Sequence, residues 1–398
     1  MRILHVTLGF YPAQAWGGPI KVVFENGREL VKRGNHVTVY CTNLLDKRHK
    51  IRPITFESTV DGMRIVYFNA WNLSWWPGTL GPFWLPDLPA YLEKEITSFD
   101  IVHLNGYRSL MGLVVARFAR KFNIPFVIQP HGSLPVIVNS FMLKRVYDRL
   151  FGHWELKGIS ALLALQESER EQALAHGVPA ERIEIIPNGI DPLEKANLPE
   201  RGSFRRRFGL KAELPLIIFL ARINKKKGAD MLVEAFSKME GVEAQLAIIG
   251  PDDGQLSEVK SLIKNLNLDG KVVLPGLLCG VDVLAAFQDA DLFVLPCRMD
   301  TFPVTIMEAC LMDTPMVVTD RCEIAHLIQN RVAEVVPFDP NAFAAAMQML
   351  LTNHGLYERY RANCPALISD TFSTQAVVNS LESIYRRSMS EKDGQLQS

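Results

Sequence analysis

Leu216-Ile217-Ile218-Phe219-Leu220-Ala221 is a continuous apolar run of strand length, and Ala229–Met239, which follows it, has the length and period of a helix. A second apolar run, Gln245–Ile249, comes next. Strands that are apolar without alternation are buried on both faces, which calls for helices above and below a parallel sheet. The same step repeats outward in both directions. Further strand candidates toward the C-terminus are Val272–Leu274, Leu292–Leu295, Met316–Val318 and Ala333–Val336. Toward the N-terminus they are Ile3–Leu8, His36–Cys41, Ile101–Leu104, Phe126–Gln129, Ala161–Leu165 and Ile183–Ile186. Stretches such as Pro19–Arg33 and Gln255–Leu266 supply helices between them.

Twelve strands exceed the usual size of one sheet, and 398 residues exceed one ordinary core, so two α/β domains are expected. The best boundary lies within Asp191–Pro215, which holds Pro192, Pro199, Gly202 and Pro215 and the run Arg205-Arg206-Arg207. We place the domains at 1–192 and 193–370, with a C-terminal helix and tail at 371–398. Ser373–Met389 reads as the helix, followed by a polar frayed end. In open α/β sheets ligands meet the carboxyl ends of the strands, so the loops after strands are where chemistry is sought.

Composition narrows the function. Lys+Arg and Asp+Glu are both 43, so whole-molecule steering toward nucleic acid is not expected. The six cysteines are scattered, with no C-x-x-C pair, which fits neither a disulfide framework nor a zinc site and suits a reducing cytoplasm. No apolar stretch approaches the roughly 20 residues of a membrane-spanning helix.

Three loops stand out. Trp16-Gly17-Gly18-Pro19 opens a helix and suits either an anion or a tight turn; it is not a dinucleotide G-x-G-x-x-G. Ala221–Gly228 places Arg222 and Lys227 just past a strand, a pair fit for a diphosphate or for a solvated basic loop. Asp300–Ala309 follows the strand Leu292–Leu295 and opens a helix, with Asp300 in the loop and Glu308 inside the helix. Such carboxylates accept hydrogen bonds from sugar hydroxyls, and the first backbone N–H groups lie at the positive end of the helix dipole. Glu308 also reads as an ordinary helix glutamate.

Taken in order, these segments resemble the retaining glycosyltransferases of family four (glycosyl transferases, group one), whose fold is GT-B. The resemblance covers nearly the whole chain. It runs through Trp16-Gly17-Gly18, Pro187–Asp191, Ala221–Gly228, Ile248-Ile249-Gly250-Pro251 and the D-x7-E at Asp300–Glu308, similar to the family's E-x7-E. It implies two Rossmann-like doubly wound parallel-sheet domains facing a cleft, with the C-terminal helix returning to the first domain.

The resemblance also implies roles. Arg222 and Lys227 hold the donor diphosphate, Glu308 the nucleotide ribose, and Asp300 faces the transferred sugar. The backbone at Phe302, Pro303 and Val304, with Gly250, cradles the donor. Gly17 and Gly18 close on its phosphates from the other domain, and His131 stands beside the reacting sugar. The reaction implied is transfer of a hexose-type sugar from a nucleotide-diphosphate sugar with retention. It uses no cofactor beyond that co-substrate and no metal, since Asp289-Ala290-Asp291 precedes its strand and reads as a turn. The sequence departs from the family pattern at Asp300, shorter by a methylene than Glu, and at Pro303, which removes an N–H from the cradle.

The acceptor side is read as a glycan or a lipid-linked saccharide. Four of the six tryptophans fall between Trp71 and Trp84. Phe141–Trp154 mixes Lys144, Arg145 and Arg149 with apolar residues, which suits an anionic membrane surface or a helix packed on its own domain. A cytoplasmic protein, peripheral on the inner face of the cell membrane, is the expected setting. A sugar-nucleotide epimerase, a glycan phosphorylase and a two-lobed sugar-binding protein are the rival readings.

Overall fold

The computed structural model describes residues 1–13, 16–46, 49–73, 83–134, 141–191 and 198–397, with the backbone alone at 141–143 and 393–397. The boundary placed between residues 192 and 193 lies outside the described residues, as do Trp75 and Trp76. The chain forms two compact units: Met1–Gly189 with Thr374–Ser398, and Ile190–Ser373.

In unit 1 the chain runs β1 (Arg2–Thr7), α1 (Gly18–Lys32), β2 (His36–Thr42), β3 (Phe56–Val60), β4 (Met63–Phe68), β5 (Trp71–Asn72), β6 (Phe83–Trp84) and α2 (Leu88–Glu95). It continues through β7 (Ile101–Asn105), α3 (Leu110–Lys121), β8 (Phe126–Gln129), α4 (Phe141–Tyr147), α5 (His153–Leu156), β9 (Ala161–Ala164), α6 (Glu167–Ala175) and β10 (Ile183–Ile185). The main sheet has eight strands in the order β10-β9-β8-β7-β1-β2-β4-β3. All neighbours are parallel except β3 and β4.

Sequence reading anticipates six of these eight strands and misses the β3–β4 hairpin. Its turn is Asp61-Gly62, both at positive φ (46° and 80°), the dipeptide that tight hairpins favour. The exposed pattern of β3, Phe56-Glu57-Ser58-Thr59-Val60, hides it from a search for apolar runs.

Unit 2 runs α7 (Ser203–Phe208), β11 (Leu216–Leu220), α8 (Ala229–Ser237), β12 (Gln245–Ile249), α9 (Leu256–Asn265), β13 (Val272–Gly276), α10 (Val281–Asp289) and β14 (Leu292–Leu295). Then come α11 (Val304–Leu311), β15 (Met316–Thr319), α12 (Ala325–Ile328), β16 (Ala333–Val336), α13 (Pro340–Thr352) and α14 (His354–Thr371). The sheet order is β13-β12-β11-β14-β15-β16, all parallel, which is the doubly wound nucleotide-binding order. Each central strand is apolar on both faces because helices cover both.

The last helix, α15 (Thr374–Gln397), belongs to unit 1. Val377, Val378, Leu381, Ile384 and Tyr385 pack with Ile3, Val39, Ile101 and Val127, so α15 covers one face of the first sheet together with Val23 and Leu30 of α1. The helix extends past Met389, where a frayed end is expected, to Gln397.

Asp289 and Asp291 serve the fold. The Asp289 carboxylate accepts from the backbone N–H groups of Gly202 and Arg205, and Asp291 accepts from Leu216 N at 2.7 Å and the Arg205 guanidinium at 2.8 Å. Together they pin α7 to the start of β11. Among the described residues no helix is long and apolar enough to cross a membrane.

Candidate functional site

In both sheets the strand order reverses beside the first strand, between β1 and β7 in unit 1 and between β11 and β14 in unit 2. Open α/β sheets bind ligands at the carboxyl ends of strands at such a switch point. In unit 2 the loops there are 221–228, after β11, and 296–303, after β14.

Two glycines let these loops approach. A Cβ on Gly228 (φ 74°) would lie 1.8 Å from Pro296 O, and one on Gly250 (φ 149°) would lie 1.9 Å from Ala221 O. Neither position accepts a side chain. Gly250, read from the sequence as a donor contact, thus also seats the carbonyl just before Arg222.

Across the switch point Lys227 Nζ donates to Asp300 Oδ2, joining two half-buried side chains. Arg222 Nη1 donates to Asp253 Oδ2 at 2.8 Å, and Asn224 Nδ2 shares that oxygen at 2.8 Å. The loop's shape comes from Arg298, whose N–H donates to Lys226 O at 2.7 Å. The Arg298 guanidinium also donates to Lys225 O at 2.7 Å and to both Asp230 oxygens at 2.8 Å. Burial alone would raise the Asp230 carboxyl, but its hydrogen bonds from Arg298 and Lys225 hold it well below the usual range. Half-buried Lys226 has its ammonium pushed down by burial and by the charges of Arg222 and Lys227.

Asp300 is fixed by its backbone: its N–H donates to Arg321 O at 3.3 Å and its carbonyl accepts from Glu323 N at 2.9 Å. Phe302 is buried edge-on against Phe372, with ring centroids 5.9 Å apart. Pro303 caps α11 in an extended conformation (φ −71°, ψ 115°), and Val304 opens the helix. Glu308 lies just over a turn inside it and is half-buried. Arg222, Lys227, Asp300, Phe302, Pro303 and Gly250 therefore share the carboxyl-end loops of one sheet, and Val304 and Glu308 stand in the helix that one of these loops opens. Two cations and a helix N-terminus there match a dianionic ligand, and the carboxylates match hydroxyls.

In unit 1, Gly17 caps α1 at φ 94°, Gly18 is its first residue and Pro19 lies in its first turn. His131 lies in the loop after β8 with φ 52°, a left-handed conformation uncommon for a non-glycine residue. Buried Glu169 clamps this loop: its oxygens accept from Gly132 N at 2.6 Å and Leu165 N at 2.8 Å. His131 Nε2 lies 3.3 Å from Asn105 Oδ1. Burial, and then the nearby His5, lower the His131 pKa to about 4.

Sequence reading passed over Asp230, Asp253 and Arg298, which hold the basic loop, and Asn105 and Glu169, which hold His131. Asp253, beside Gly250-Pro251-Asp252, was within reach as the end of a strand-following loop. The others become neighbours of the site only through tertiary pairing.

The chain matches the model described as "Glycosyl transferase 4-like domain" over residues 17–189 and the model "Glycosyl transferases group 1" over residues 200–366. It is 24% identical over 371 residues to D-inositol 3-phosphate glycosyltransferase of Xylanimonas cellulosilytica, covering 88% of this chain and 87% of that one. It is 25% identical over 235 residues to an uncharacterized glycosyltransferase of Methanocaldococcus jannaschii, spanning 57% of this chain and 60% of that protein. Its fold matches that of Anabaena HepE, solved in complex with UDP-glucose, at TM-score 0.75 and 16% identity over 96% of this chain and 100% of that one. With both halves matched in order and the doubly wound GT-B architecture in place, the chain belongs to glycosyltransferase family four, the group 1 glycosyl transferases.

Proposed function

We propose that this chain is a retaining, metal-independent hexosyltransferase that moves a sugar from a nucleotide-diphosphate donor to a glycan or lipid-linked saccharide in cell-surface glycan synthesis. The observation that carries the reading is the group at the unit 2 switch point, where Arg222 and Lys227 stand on the loop after β11 and Lys227 reaches Asp300 in the loop that opens α11. In this reading they bind the donor diphosphate and take up the charge that develops as it departs, work that a divalent metal does in other transferases. Asp300 turns to the transferred sugar and Glu308 to the ribose. Gly17 and Gly18 meet the donor phosphates, and His131 orients the sugar. A donor phosphate oxygen, rather than a side chain, takes the acceptor's proton.

The decisive experiment is a thermal-shift panel of UDP, GDP, ADP and dTDP on the wild type and Glu308→Ala. A ligand that binds the native state raises Tm by mass action. A rise with one nucleotide, lost in Glu308→Ala, supports the reading and names the donor base. No rise with any of the four, in folded protein, sinks it in favour of a phosphorylase or a sugar-binding protein. A turnover rate that falls in EDTA and recovers with Mg2+ would remove metal independence.

The lipid-linked acceptor is favoured by the segment 144–157. Val146, Leu150, Phe151 and Trp154 are 51%, 55%, 41% and 59% exposed. The exposed charges among them are Arg145, Arg149 and Lys157, whereas Asp148 is tied to Arg108 at 2.7 Å and Glu155 is buried. An apolar and cationic face of this kind suits anionic lipid at the inner face of the cell membrane. Co-sedimentation with phosphatidylglycerol vesicles, and not with phosphatidylcholine vesicles, is expected at low salt. Equal recovery with both would remove the membrane from the proposal.

A further inference from the structure

A column of polar side chains runs between β1 and β7 in the sheet of unit 1. Pairing of β1 with β7 sets His5 beside His103 and Thr7 beside Asn105. Tyr385, from α15, has its hydroxyl 2.6 Å from His103 Nδ1. The His103 and His5 rings lie 4.8 Å apart, and His5 Nδ1 is 3.2 Å from Asn105 Nδ2. Asn105 Oδ1 then reaches His131 Nε2 at 3.3 Å. His5, His103 and Tyr385 are all buried. Burying such groups is costly unless they are paired, and apolar residues would fill the same layer without that cost.

The direction of the Asn105 amide follows from its other neighbours. Its nitrogen lies 3.4 Å from Val6 O and 3.2 Å from His103 O. Carbonyl oxygens only accept, so the amino end faces them and Oδ1 faces His131. Oδ1 also only accepts, so His131 Nε2 carries the proton. A neutral imidazole has one N–H, which leaves His131 Nδ1 with a bare lone pair. That nitrogen is shielded and has no partner among the described residues. The left-handed backbone of His131 is of the kind that persists where the surroundings over-determine it.

We propose that Asn105 is a positioning residue: it locks His131 as the Nε2–H tautomer, so that Nδ1 accepts a hydrogen bond from a substrate hydroxyl. This rests on the reading of the chain as a sugar transferase with His131 beside the reacting sugar. His131 is then an acceptor of fixed polarity, and it neither donates to the sugar nor takes a proton in the reaction.

The test is 15N NMR of histidine-labelled protein at pH 7, with the His131 signals identified by their loss in His131→Asn. The wild type shows a protonated Nε2 and a bare Nδ1. In Asn105→Ala the two forms mix, and kcat falls about tenfold, the size expected of one misdirected hydrogen bond. A protonated Nδ1 in the wild type overturns the proposal, and this measurement needs no variant beyond the one used for assignment. An unchanged tautomer in folded Asn105→Ala overturns it as well. The two readings fail separately. Full turnover in His131→Ala, with the wild-type tautomer as stated, removes His131 from the reaction and leaves the Asn105 lock standing. A wrong tautomer with an inactive His131→Ala removes the lock alone.

Discussion

Lys227 and Asp300 neutralise each other across the switch point, and Arg222 is likewise paired with Asp253. An incoming diphosphate has to compete with these carboxylates, and the two cations differ in what their removal exposes. Arg222 is exposed, and exposed ion pairs contribute about 1 kcal/mol or less. Arg222→Ala should therefore keep Tm within a few degrees while nucleotide affinity falls; a large drop in Tm would make Arg222 a strut of the loop. Lys227→Ala leaves Asp300 half-buried without its cation, at a cost of about 1–3 kcal/mol. Its kcat should fall on the order of 100- to 1000-fold, as for loss of one preorganised donor. A change confined to acceptor KM would remove Lys227 from the donor site. These cations and Glu308 could be picked out from sequence because they stand at fixed offsets from strand ends. Asn105 could not, since only the register of β7 and the path of the loop after β8 bring it to His131.

At the scale of elements, the loops after β11, β12 and β14 nest only because two residues lack a Cβ. Gly228→Ala would force a side chain onto Pro296 O in a left-handed backbone, at about 3 kcal/mol or more. Tm should fall and nucleotide-induced stabilisation should vanish together. Retention of both would show that the loop yields. Asp291→Ala is the contrasting case. It strips a carboxylate from Arg205 and from Leu216 N and should destabilise by about 1–3 kcal/mol while kcat of the surviving folded protein is unchanged. Urea melts read beside initial rates separate the two. Parallel strands buried on both faces were legible as unbroken apolar runs. The β3–β4 hairpin was not, because an edge strand with one wet face carries a weak pattern and its only clear mark is Asp61-Gly62.

Across the whole molecule, buried titratable groups set the response to pH. Burial lowers the His5 and His131 pKa values from 6.5 to about 4, and His103 moves the same way. The unfolded chain then binds more protons than the native one below pH 6.5, so these residues favour folding less as pH falls. For His5 the loss between pH 7 and pH 5 is about 2 kcal/mol. Glu155 opposes it: burial raises its pKa from 4.5 to about 7, so the unfolded chain is the more ionised one near neutrality. Its contribution recovers by about 2 kcal/mol over the same acid step. Three histidines against one glutamate leave a net fall, and Tm should drop from pH 7 to pH 5. Glu155→Gln should steepen that drop; an unchanged slope would show that Glu155 does not titrate in this range.

The placement of α15 bears on synthesis as well as on stability. Residues 190–373 are contiguous and close on themselves, whereas the first 189 residues lack a helix that covers, with α1, one face of their sheet until Thr374–Gln397 has been translated. On the ribosome the later-made unit therefore matures first. The earlier one waits with the face around Ile3, Val39, Ile101 and Val127 covered only in part, by α1, a surface for chaperones to hold, and its polar column is completed when Tyr385 arrives. The order of maturation runs against the order of translation.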